Sequence, residues 1–351
     1  MPQVVSFNAP RDVSLVECDV APLTRDGVRV RTWYSGISAG TELTAYRGTN
    51  PYLNGTWDAE ARLFRAGSPT FAYPVAGWGY SEMGEVVEVG TDVTSVSPGD
   101  LVHGIWGHRS EAVIPAAAVA DRTLSRAADP RTGTFARVGA IALNAVLASD
   151  ARLGDRVAVF GQGVIGLLAT RLLTLAGAEV TAVDAYNERL AVARELGAAH
   201  VVRADHPDGA GAAVRDLTGG AGMDAAIELS GSDRALHEAT RCVVVDGTVV
   251  ASGFYQGGAT HLRLGEEFHH NRVRIVASQI SGTPLALGPR WHQPRLVRVF
   301  MDQVAAGRVD VARLVTDVVD AADVARAFER LDAGDPGTLQ VLLRFDAAPI
   351  A

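Results

Sequence analysis

The stretch DRVAVFGQGVIGLLATRLLTLAGAEVTAVD, residues 155–184, decides the fold. An apolar strand runs into a glycine-rich turn, GQGVIG, which opens an apolar helix, and a second strand ends in Asp184. Glycines in this spacing permit a tight turn and let a pyrophosphate approach the positive end of the helix. The stretch therefore predicts a βαβ unit that binds a dinucleotide. The predicted contacts with the pyrophosphate are Gly161, Gly163, Val164, Ile165 and Gly166.

Asp184 decides which dinucleotide is favoured. A carboxylate at the end of the second strand accepts hydrogen bonds from both ribose hydroxyls and repels a 2′-phosphate. Arg189 follows one helical turn later, with no second arginine beside it in the sequence. We therefore expect NAD(H), with NADP(H) possible. The alternative is a tight turn in an α/β domain that binds no nucleotide, with Asp184 as a helix cap.

The pattern around this stretch predicts two domains. Between 144 and 280, apolar strands alternate with amphipathic helices, as in a doubly wound parallel sheet of the Rossmann type. Earlier residues form short β-type runs such as VRVRTW, residues 28–33. The last run, LQVLLRF, can return as a strand to this first domain. We predict a nucleotide domain, 144–280, inserted in a mostly β catalytic domain, 1–143 and 281–351.

Composition excludes several classes of function. The net charge of −8 over 351 residues disfavours nucleic-acid binding. No apolar run reaches the roughly 18 residues of a membrane span, and the first residues do not resemble a secretory signal, so we expect a cytoplasmic protein without a membrane partner. Cys18 and Cys242 cannot form a four-cysteine zinc site. The sequence contains no lysine, which excludes Schiff-base chemistry on that residue.

Three segments together resemble the medium-chain dehydrogenase/reductase superfamily. They are VRVRTWYSGISAGTE (28–42), MGEVVEVGTDVTSVSPGD (83–100) and the nucleotide segment GDRVAVFGQGVIG to RELGA (154–198). The resemblance covers nearly the whole chain. It implies an α/β protein in which a GroES-like, mostly β catalytic domain carries a Rossmann nucleotide domain.

A narrower resemblance is to the branch named for bacteriochlorophyllide dehydrogenase. It depends on SGISAGTE (35–42), on the tyrosine in GYSEMG (79–84) and on SQISGTPLALGPRW (278–291). That branch contains dehydrogenases of sugar-like and natural-product substrates.

The zinc ligands of the superfamily are replaced in this sequence. Zinc enzymes of the family read G-I-C-G-T-D-x-H where this chain has GISAGTELT, so the cysteine falls at Ala39 or Ser38. The family's G-H-E-x-x-G becomes GYSEMG, with Tyr80 and Ser81 in place of histidine and glutamate. The third ligand falls near Ala140. Zinc prefers His, Cys or carboxylate donors. We therefore predict no metal and a zinc-independent enzyme.

Four residues are the predicted replacements for zinc chemistry. Tyr80 occupies a vacated ligand position and is the candidate proton donor. Thr41 matches the family's relay hydroxyl, and Glu42 matches a carboxylate that orients the site. His108, in a loop of the first domain, is the other candidate acid. The alternatives are that Tyr80 and Glu42 only pack or brace a loop and that His108 is a solvated histidine.

Five residues are expected near the nicotinamide. The resemblance places Asn144 behind the ring. Ser230 and Ser252 end strands at the carboxyl edge of the sheet, where such sheets bind ligands. Ser278 and Gln279 end the last strand and should face the carboxamide.

Three functions remain open on the sequence. The first is zinc-independent hydride transfer between NAD(P) and a cyclic secondary alcohol or ketone, such as a sugar, a cyclitol, an amino sugar or an antibiotic-type natural-product intermediate. The second is a quinone or enone reductase of the same fold, and the third is a non-catalytic nucleotide-binding module. In the loop at 49–74, Tyr52, Trp57 and Phe64 can form an apolar wall for a small-molecule substrate, and the alternative is that they serve packing or subunit contacts. We expect a homodimer or homotetramer, joined where DGTVVASG (246–253) lies at the sheet edge.

Overall fold

The computed structural model describes residues 1–67 and 69–345, which form two compact units. The first, the β unit, contains Met1–Arg137 and the described residues from Val311 onward. The second, the α/β unit, is Val138–Asp310 and is inserted into the first. Residues 281–310 fall in the α/β unit, whereas the sequence analysis assigned 281–351 to the β domain.

The β unit consists mainly of antiparallel strands. Before the insertion its strands are β1 (Gln3–Ala9), β2 (Asp12–Glu17), β3 (Gly27–Gly36), β4 (Gly55–Asp58), β5 (Leu63–Ala66), β6 (Val75–Ala76), β7 (Glu82–Val89), β8 (Leu101–Gly104), β9 (Glu111–Pro115) and β10 (Thr123–Leu124). After the insertion come β17 (Val315–Asp320) and β18 (Gln340–Arg344). Its helices are α1 (Ala39–Arg47) and α9 (Val324–Ala333).

The largest sheet of the β unit is built on β3. Its order is β10-β8-β7-β3-β18-β17, and β9 also pairs with β3. Alternation along β3 buries Val28 and Val30 and exposes Arg31, as expected for a strand with one face on a core. The C-terminal strand β18 pairs antiparallel with β3, with Leu342 opposite Gly36. The predicted return of the last strand is thus confirmed.

The α/β unit alternates helices and strands. Its helices are α2 (Ala136–Ala148, which begins at the boundary), α3 (Val164–Leu175), α4 (Asn187–Glu195), α5 (Ala210–Asp216), α6 (Asp233–Cys242), α7 (Glu267–His270) and α8 (Gln293–Ala305). Its strands are β11 (Arg156–Phe160), β12 (Glu179–Asp184), β13 (His200–Arg203), β14 (Met223–Glu228), β15 (Val243–Ala251) and β16 (Arg274–Ala277).

The sheet of the α/β unit is parallel and doubly wound. All its neighbouring strands pair in parallel in the order β13-β12-β11-β14-β15-β16. This order reverses direction between β11 and β14, and ligands of such sheets bind at the carboxyl ends of the strands beside that point. The predicted Rossmann arrangement and the α/β fold class are confirmed. The expectation that DGTVVASG lies at the sheet edge is wrong, because β15 lies between β14 and the edge strand β16.

Helix α8 explains why residues 281–310 belong to the α/β unit. Phe300 is fully buried, and a Cβ added at Gly139 of α2 would lie 2.1 Å from its ring. The absence of a side chain at Gly139 therefore allows α8 to pack closely on α2. Within the described residues, none of the helices is both long enough and apolar enough to span a membrane.

We expect the substitution Gly139→Ala to destabilise the protein by about 1–3 kcal/mol, because the new methyl group overlaps a buried aromatic ring. The free energy of unfolding from urea titration measures this loss. The double variant with Phe300→Leu should recover part of it. An unchanged stability of Gly139→Ala would show that α2 and α8 are not packed this closely.

Candidate functional site

Three hydroxyl groups meet in the β unit, and we call Ser38, Thr41 and Tyr80 the hydroxyl cluster. Tyr80 lies in the turn between β6 and β7, and its phenol hydrogen-bonds to Oγ of Ser38. Oγ1 of Thr41 lies 3.2 Å from the same phenol oxygen. Ser38 precedes α1 and Thr41 is in its first turn. The start of α1 thus holds the phenol of Tyr80 from two sides.

Ser38 and Glu42 both lie at the start of α1. Ser38 is the N-cap residue of α1, yet its side chain makes no capping hydrogen bond. Instead, Oε1 of Glu42 accepts the backbone N–H of Ser38 at 3.0 Å. A carboxylate in the first turn is also favoured by the positive end of the helix. The helix start is therefore stabilised by Glu42, and the serine hydroxyl contacts the tyrosine.

Behind the hydroxyl cluster lies a buried chain of polar side chains, which we call the acid–histidine network. Nε2 of His108 is 2.6 Å from Oε2 of Glu42, and Nδ1 of His108 hydrogen-bonds to the hydroxyl of Ser35. That hydroxyl donates to Oε1 of Glu82 at 3.3 Å. All four side chains are fully buried. Since Ser35 donates to Glu82, it accepts from Nδ1, and a histidine with both nitrogens protonated satisfies every contact.

The charges of the network agree with this arrangement. Burial lowers the pKa of His108, but the charge and hydrogen bond of Glu42 and the charge of Glu82 outweigh it and leave the pKa raised. Burial raises the pKa of Glu82, against the charge of His108 and the backbone N–H groups that it accepts. One imidazolium is thus paired with Glu42, and burial disfavours a second negative charge on Glu82.

The surroundings of Tyr80 favour its protonated form. Burial of its hydroxyl raises its pKa, while the hydrogen bonds of Ser38 and Thr41 and the positive charge of Arg137 act in the opposite direction. Because the net pKa is above the usual tyrosine value, the phenol stays protonated near neutral pH. The side chain is only partly buried, so the phenol is not sealed within the core.

The residues at the predicted metal position do not fit zinc. The cluster offers hydroxyl oxygens, and Oγ of Ser81 is buried without a hydrogen-bond partner in the described part of the chain. Ala140 lies in α2 and carries only a methyl group. Zinc is bound by thiolate, imidazole or carboxylate donors. The carboxylates of Glu42 and Glu82 are already engaged by His108 and backbone N–H groups.

His108 is not the solvated loop histidine that the sequence left open. Its side chain is 0% exposed and both ring nitrogens have partners. It contacts Glu42 in the first turn of α1 and Ser35 in β3. Sequence reasoning missed Ser35, Glu82 and Arg137. Glu82 was detectable, since it stands one position after the residue aligned with the family's glutamate.

The glycine turn of the α/β unit fits a dinucleotide phosphate. Gly161 has φ +89°, and a Cβ there would lie 2.7 Å from the backbone nitrogen of Ser230. A Cβ at Gly166 would lie 1.8 Å from the carbonyl oxygen of Gly161. Helix α3 begins at Val164, and no side chain caps its N-terminus. The first N–H groups and the dipole of α3 therefore favour binding of an anion, as predicted for the glycine motif.

Asp184 braces this turn from the end of β12. Its two oxygens accept the backbone N–H groups of Gln162 at 2.6 Å and Tyr186 at 2.9 Å. Each carboxylate oxygen still has acceptor capacity for a ribose hydroxyl. Arg189 stacks over the ring of Tyr186, 4.9 Å from its centroid.

An arginine that the sequence did not associate with the cofactor lies next to Asp184. Strand pairing places Arg203 of β13 opposite Asp184. Asp205 accepts hydrogen bonds from Nε and NH2 of Arg203 at 2.9 and 2.8 Å. The adenosine end of the site thus combines an acidic and a basic residue, and the arginine is already paired.

The strand-end residues predicted for the nicotinamide are partly brought together. Nδ2 of Asn144 donates to Oγ of Ser278 at 3.2 Å and to the carbonyl of Gly282 at 3.1 Å. Oδ1 of Asn144 is buried without a partner among the described residues. Ser252 donates to the carbonyl of Ser278 at 3.4 Å. Gln279 is exposed and accepts the N–H of Ser281.

Ser230 belongs to a second group, organised by Glu228. This buried glutamate accepts hydrogen bonds from the N–H and hydroxyl of Ser230 and, at 2.5 Å, from the phenol of Tyr255. Burial raises the pKa of Glu228. Sequence reasoning missed Glu228 and Tyr255. The acid that ends the apolar strand MDAAIE was the available signal.

Comparison with known proteins agrees with this geometry. The zinc-binding dehydrogenase family profile matches residues 164–287. A D-guloside 3-dehydrogenase of Shigella flexneri is 29% identical over 327 residues, which cover 91% of this chain and 93% of that protein. The solved 2R,3R-butanediol dehydrogenase of Bacillus subtilis superposes with a TM-score of 0.77 at 22% identity, covering 98% of this chain and 99% of that one. An Escherichia coli oxidoreductase/dehydrogenase of unknown specificity superposes with a TM-score of 0.79 at 20% identity, with 98% and 99% covered.

We expect Glu42→Gln to destabilise the protein by about 3 kcal/mol, because it leaves the buried His108 without its counter-ion. A raised folded-state pKa of His108 stabilises the protein below the ordinary value of 6.5, and this contribution is lost as the pH rises through the raised pKa. The difference between wild type and variant should therefore shrink toward alkaline pH. Urea unfolding at a series of pH values measures it.

The control for this effect is the double-mutant cycle with His108→Gln. The double variant should be more stable than the sum of the two single losses predicts, because it leaves no buried charge unpaired. Additive losses that do not vary with pH would contradict the ion pair.

Proposed function

We propose that this chain is a medium-chain alcohol dehydrogenase that interconverts a secondary alcohol and a ketone on a sugar or glycoside ring without zinc. The observation that supports this proposal is the hydroxyl cluster. A protonated tyrosine stands at the position of a zinc ligand, fixed by Ser38 and Thr41. Other rings with secondary alcohols, such as cyclitols, amino sugars and natural-product intermediates, have the same reacting group.

Tyr80 performs the proton transfer of this reaction. The bound nicotinamide cofactor supplies the hydride for ketone reduction and accepts it for alcohol oxidation. As negative charge develops on the substrate oxygen during reduction, Tyr80 donates its proton to that oxygen. Zinc would stabilise this charge directly. Here the phenol of Tyr80 stabilises it, first by a hydrogen bond to the substrate oxygen and then by transferring its proton.

Ser38, Thr41 and Arg137 support the tyrosine. The hydroxyls of Ser38 and Thr41 hydrogen-bond to the phenol oxygen and stabilise the phenolate that remains after it donates. The charge of Arg137 stabilises the phenolate as well, since it lowers the pKa of Tyr80. Glu42 and His108 act indirectly: they fix the N-terminus of α1, which carries both hydroxyls.

The proposed substrate class follows from the guloside dehydrogenase relative and from an aromatic group in the β unit. The rings of Tyr52 and Trp57 lie 5.3 and 5.5 Å from the ring of Phe64 on the β4–β5 hairpin and its approach. These aromatic side chains are partly exposed. Exposed aromatic faces suit the apolar face of a sugar ring.

We propose NAD(H) as the preferred cofactor. Asp184 has a negative charge at the ribose position, and the neighbouring Arg203 is held by Asp205. Asp184 would therefore repel a 2′-phosphate, and the guanidinium of Arg203 is already bound by Asp205.

Replacing Tyr80 with phenylalanine tests the proposed function. We expect kcat for ketone reduction to fall by on the order of 100-fold or more, because the proton donor is lost while the ring is kept. NADH affinity, measured by fluorescence titration, should stay unchanged. The control is Tyr73→Phe, which removes a hydroxyl that donates to the α1 backbone, and it should retain turnover. Normal turnover in the Tyr80 variant would contradict the proposal.

Asp184→Asn tests the cofactor preference. We expect the ratio of kcat/KM for NADPH to that for NADH to rise by about tenfold or more, because the charge is removed while an oxygen acceptor remains for one of the two backbone N–H groups. The companion variant Asp205→Asn releases Arg203 and should also favour NADPH. If both ratios match wild type, these residues do not select the cofactor.

A further inference from the structure

A second group of ligand-type side chains lies in the α/β unit, where α6 faces the start of α7. It consists of His237, Glu266 and Glu267, whose potential ligand atoms all lie within 4.8 Å of one another. Nε2 of His237 is 3.9 Å from Oε2 of Glu266, too far for a hydrogen bond. These side chains converge without bonding to one another.

Two buried atoms of this group have no partner. His237 is 9% exposed, and its Nδ1 makes no hydrogen bond within residues 1–67 and 69–345. Oε2 of Glu267 is likewise buried without a partner among those residues. Buried polar atoms in native proteins are almost always satisfied, so each such atom needs a physical explanation.

Two arginines orient the carboxylates. Nε of Arg241 lies 3.2 Å from Oε1 of Glu267, and NH1 of Arg263 lies 3.3 Å from Oε1 of Glu266. In each glutamate the arginine occupies Oε1, which leaves Oε2 available. The Oε2 of Glu266 is directed toward His237, and the Oε2 of Glu267 is the unpartnered atom. Charged groups that bind the outer oxygen in this way commonly fix carboxylate ligands of metals.

We propose that His237, Glu266 and Glu267 bind a divalent metal ion of the zinc class. One imidazole and two carboxylate oxygens are donors that zinc accepts, with water in the fourth position. Ligand atoms about 2.1 Å from a bound zinc ion lie closer together than the ligand atoms of these three side chains do. The Glu266 side chain is half-exposed, with 49% of its surface accessible, so it is able to rotate toward the ion.

The charge balance of the group agrees with a cation. The group brings together two carboxylates, and the arginines bind only one oxygen of each. Arg241 is also bound by Glu238, at 3.0 Å. The positive charge of Arg241 is therefore shared between two carboxylates and does not cancel the charge of Glu267 alone.

The proposed metal ligands belong to a different unit from the hydroxyl cluster. The metal site is built from α6 and α7, whereas the hydroxyl cluster lies in the β unit. Its role is structural: it joins the two helices. Zinc found by elemental analysis of this protein would then come from this site, and it would say nothing about whether zinc takes part in turnover.

The test uses the full chain without a histidine tag, stripped with a chelator and dialysed. Titration with Zn²⁺ by calorimetry, and with Co²⁺ by visible absorption, should give one bound ion per chain. Glu266→Gln should weaken Zn²⁺ binding by on the order of 100-fold, because it removes a charged ligand. Glu266 has no side-chain capping role at the start of α7, so this variant should fold normally. The thermal stabilisation by Zn²⁺ should also be lost in it.

The matched control is His200→Gln, which removes an exposed histidine 3.7 Å from a single carboxylate, Glu179. It should bind Zn²⁺ as wild type does. His237→Gln should abolish binding, with circular dichroism to check the fold. Turnover of the ketone substrate should be unchanged in Glu266→Gln. Absence of stoichiometric binding, or equal affinity in wild type and Glu266→Gln, would overturn the proposal.

Discussion

The ion pair between His108 and Glu42 is the contact on which the site depends. It joins a loop histidine to the first turn of α1, and both side chains are fully buried. Burying either charge alone would be strongly unfavourable, so each holds the other in place. The pair is extended by Ser35 to Glu82, whose carboxylate accepts the backbone N–H of Trp106 at 2.7 Å. Three segments of the β unit are thereby fixed to one another.

In the proposed function, this network is a rigid support for the proton donor Tyr80. Glu42 accepts the backbone N–H of Ser38, and the serine hydroxyl contacts Tyr80 rather than capping the helix. The phenol is thus oriented before substrate arrives, which is the condition for efficient stabilisation of a developing charge. The imidazolium of His108 neutralises the charge of Glu42. Two carboxylates without this positive charge would oppose deprotonation of the Tyr80 phenol more strongly.

The sequence predicted what depends on local pattern and failed on what depends on long-range contacts. The glycine motif, the parallel sheet and the return of the last strand follow from residue spacing and strand periodicity, and the structure confirms them. The placement of residues 281–310 depends on Phe300 packing on Gly139, which no periodicity encodes. Arg203 approaches Asp184 only through strand pairing. The burial of His108 depends on Glu42, a partner 66 positions away in the chain.

Turnover by metal-free protein tests the proposal that the hydroxyl cluster performs the role of zinc. The measurement is NADH oxidation with a panel of keto-sugars, cyclic ketones and quinones, before and after removal of metal with a chelator. The Glu266→Gln variant is used so that the α6–α7 site does not contribute. We predict reduction of a cyclic ketone at an unchanged rate after chelation. Loss of activity that zinc restores would contradict the account, and turnover of quinones alone would contradict the assigned reaction.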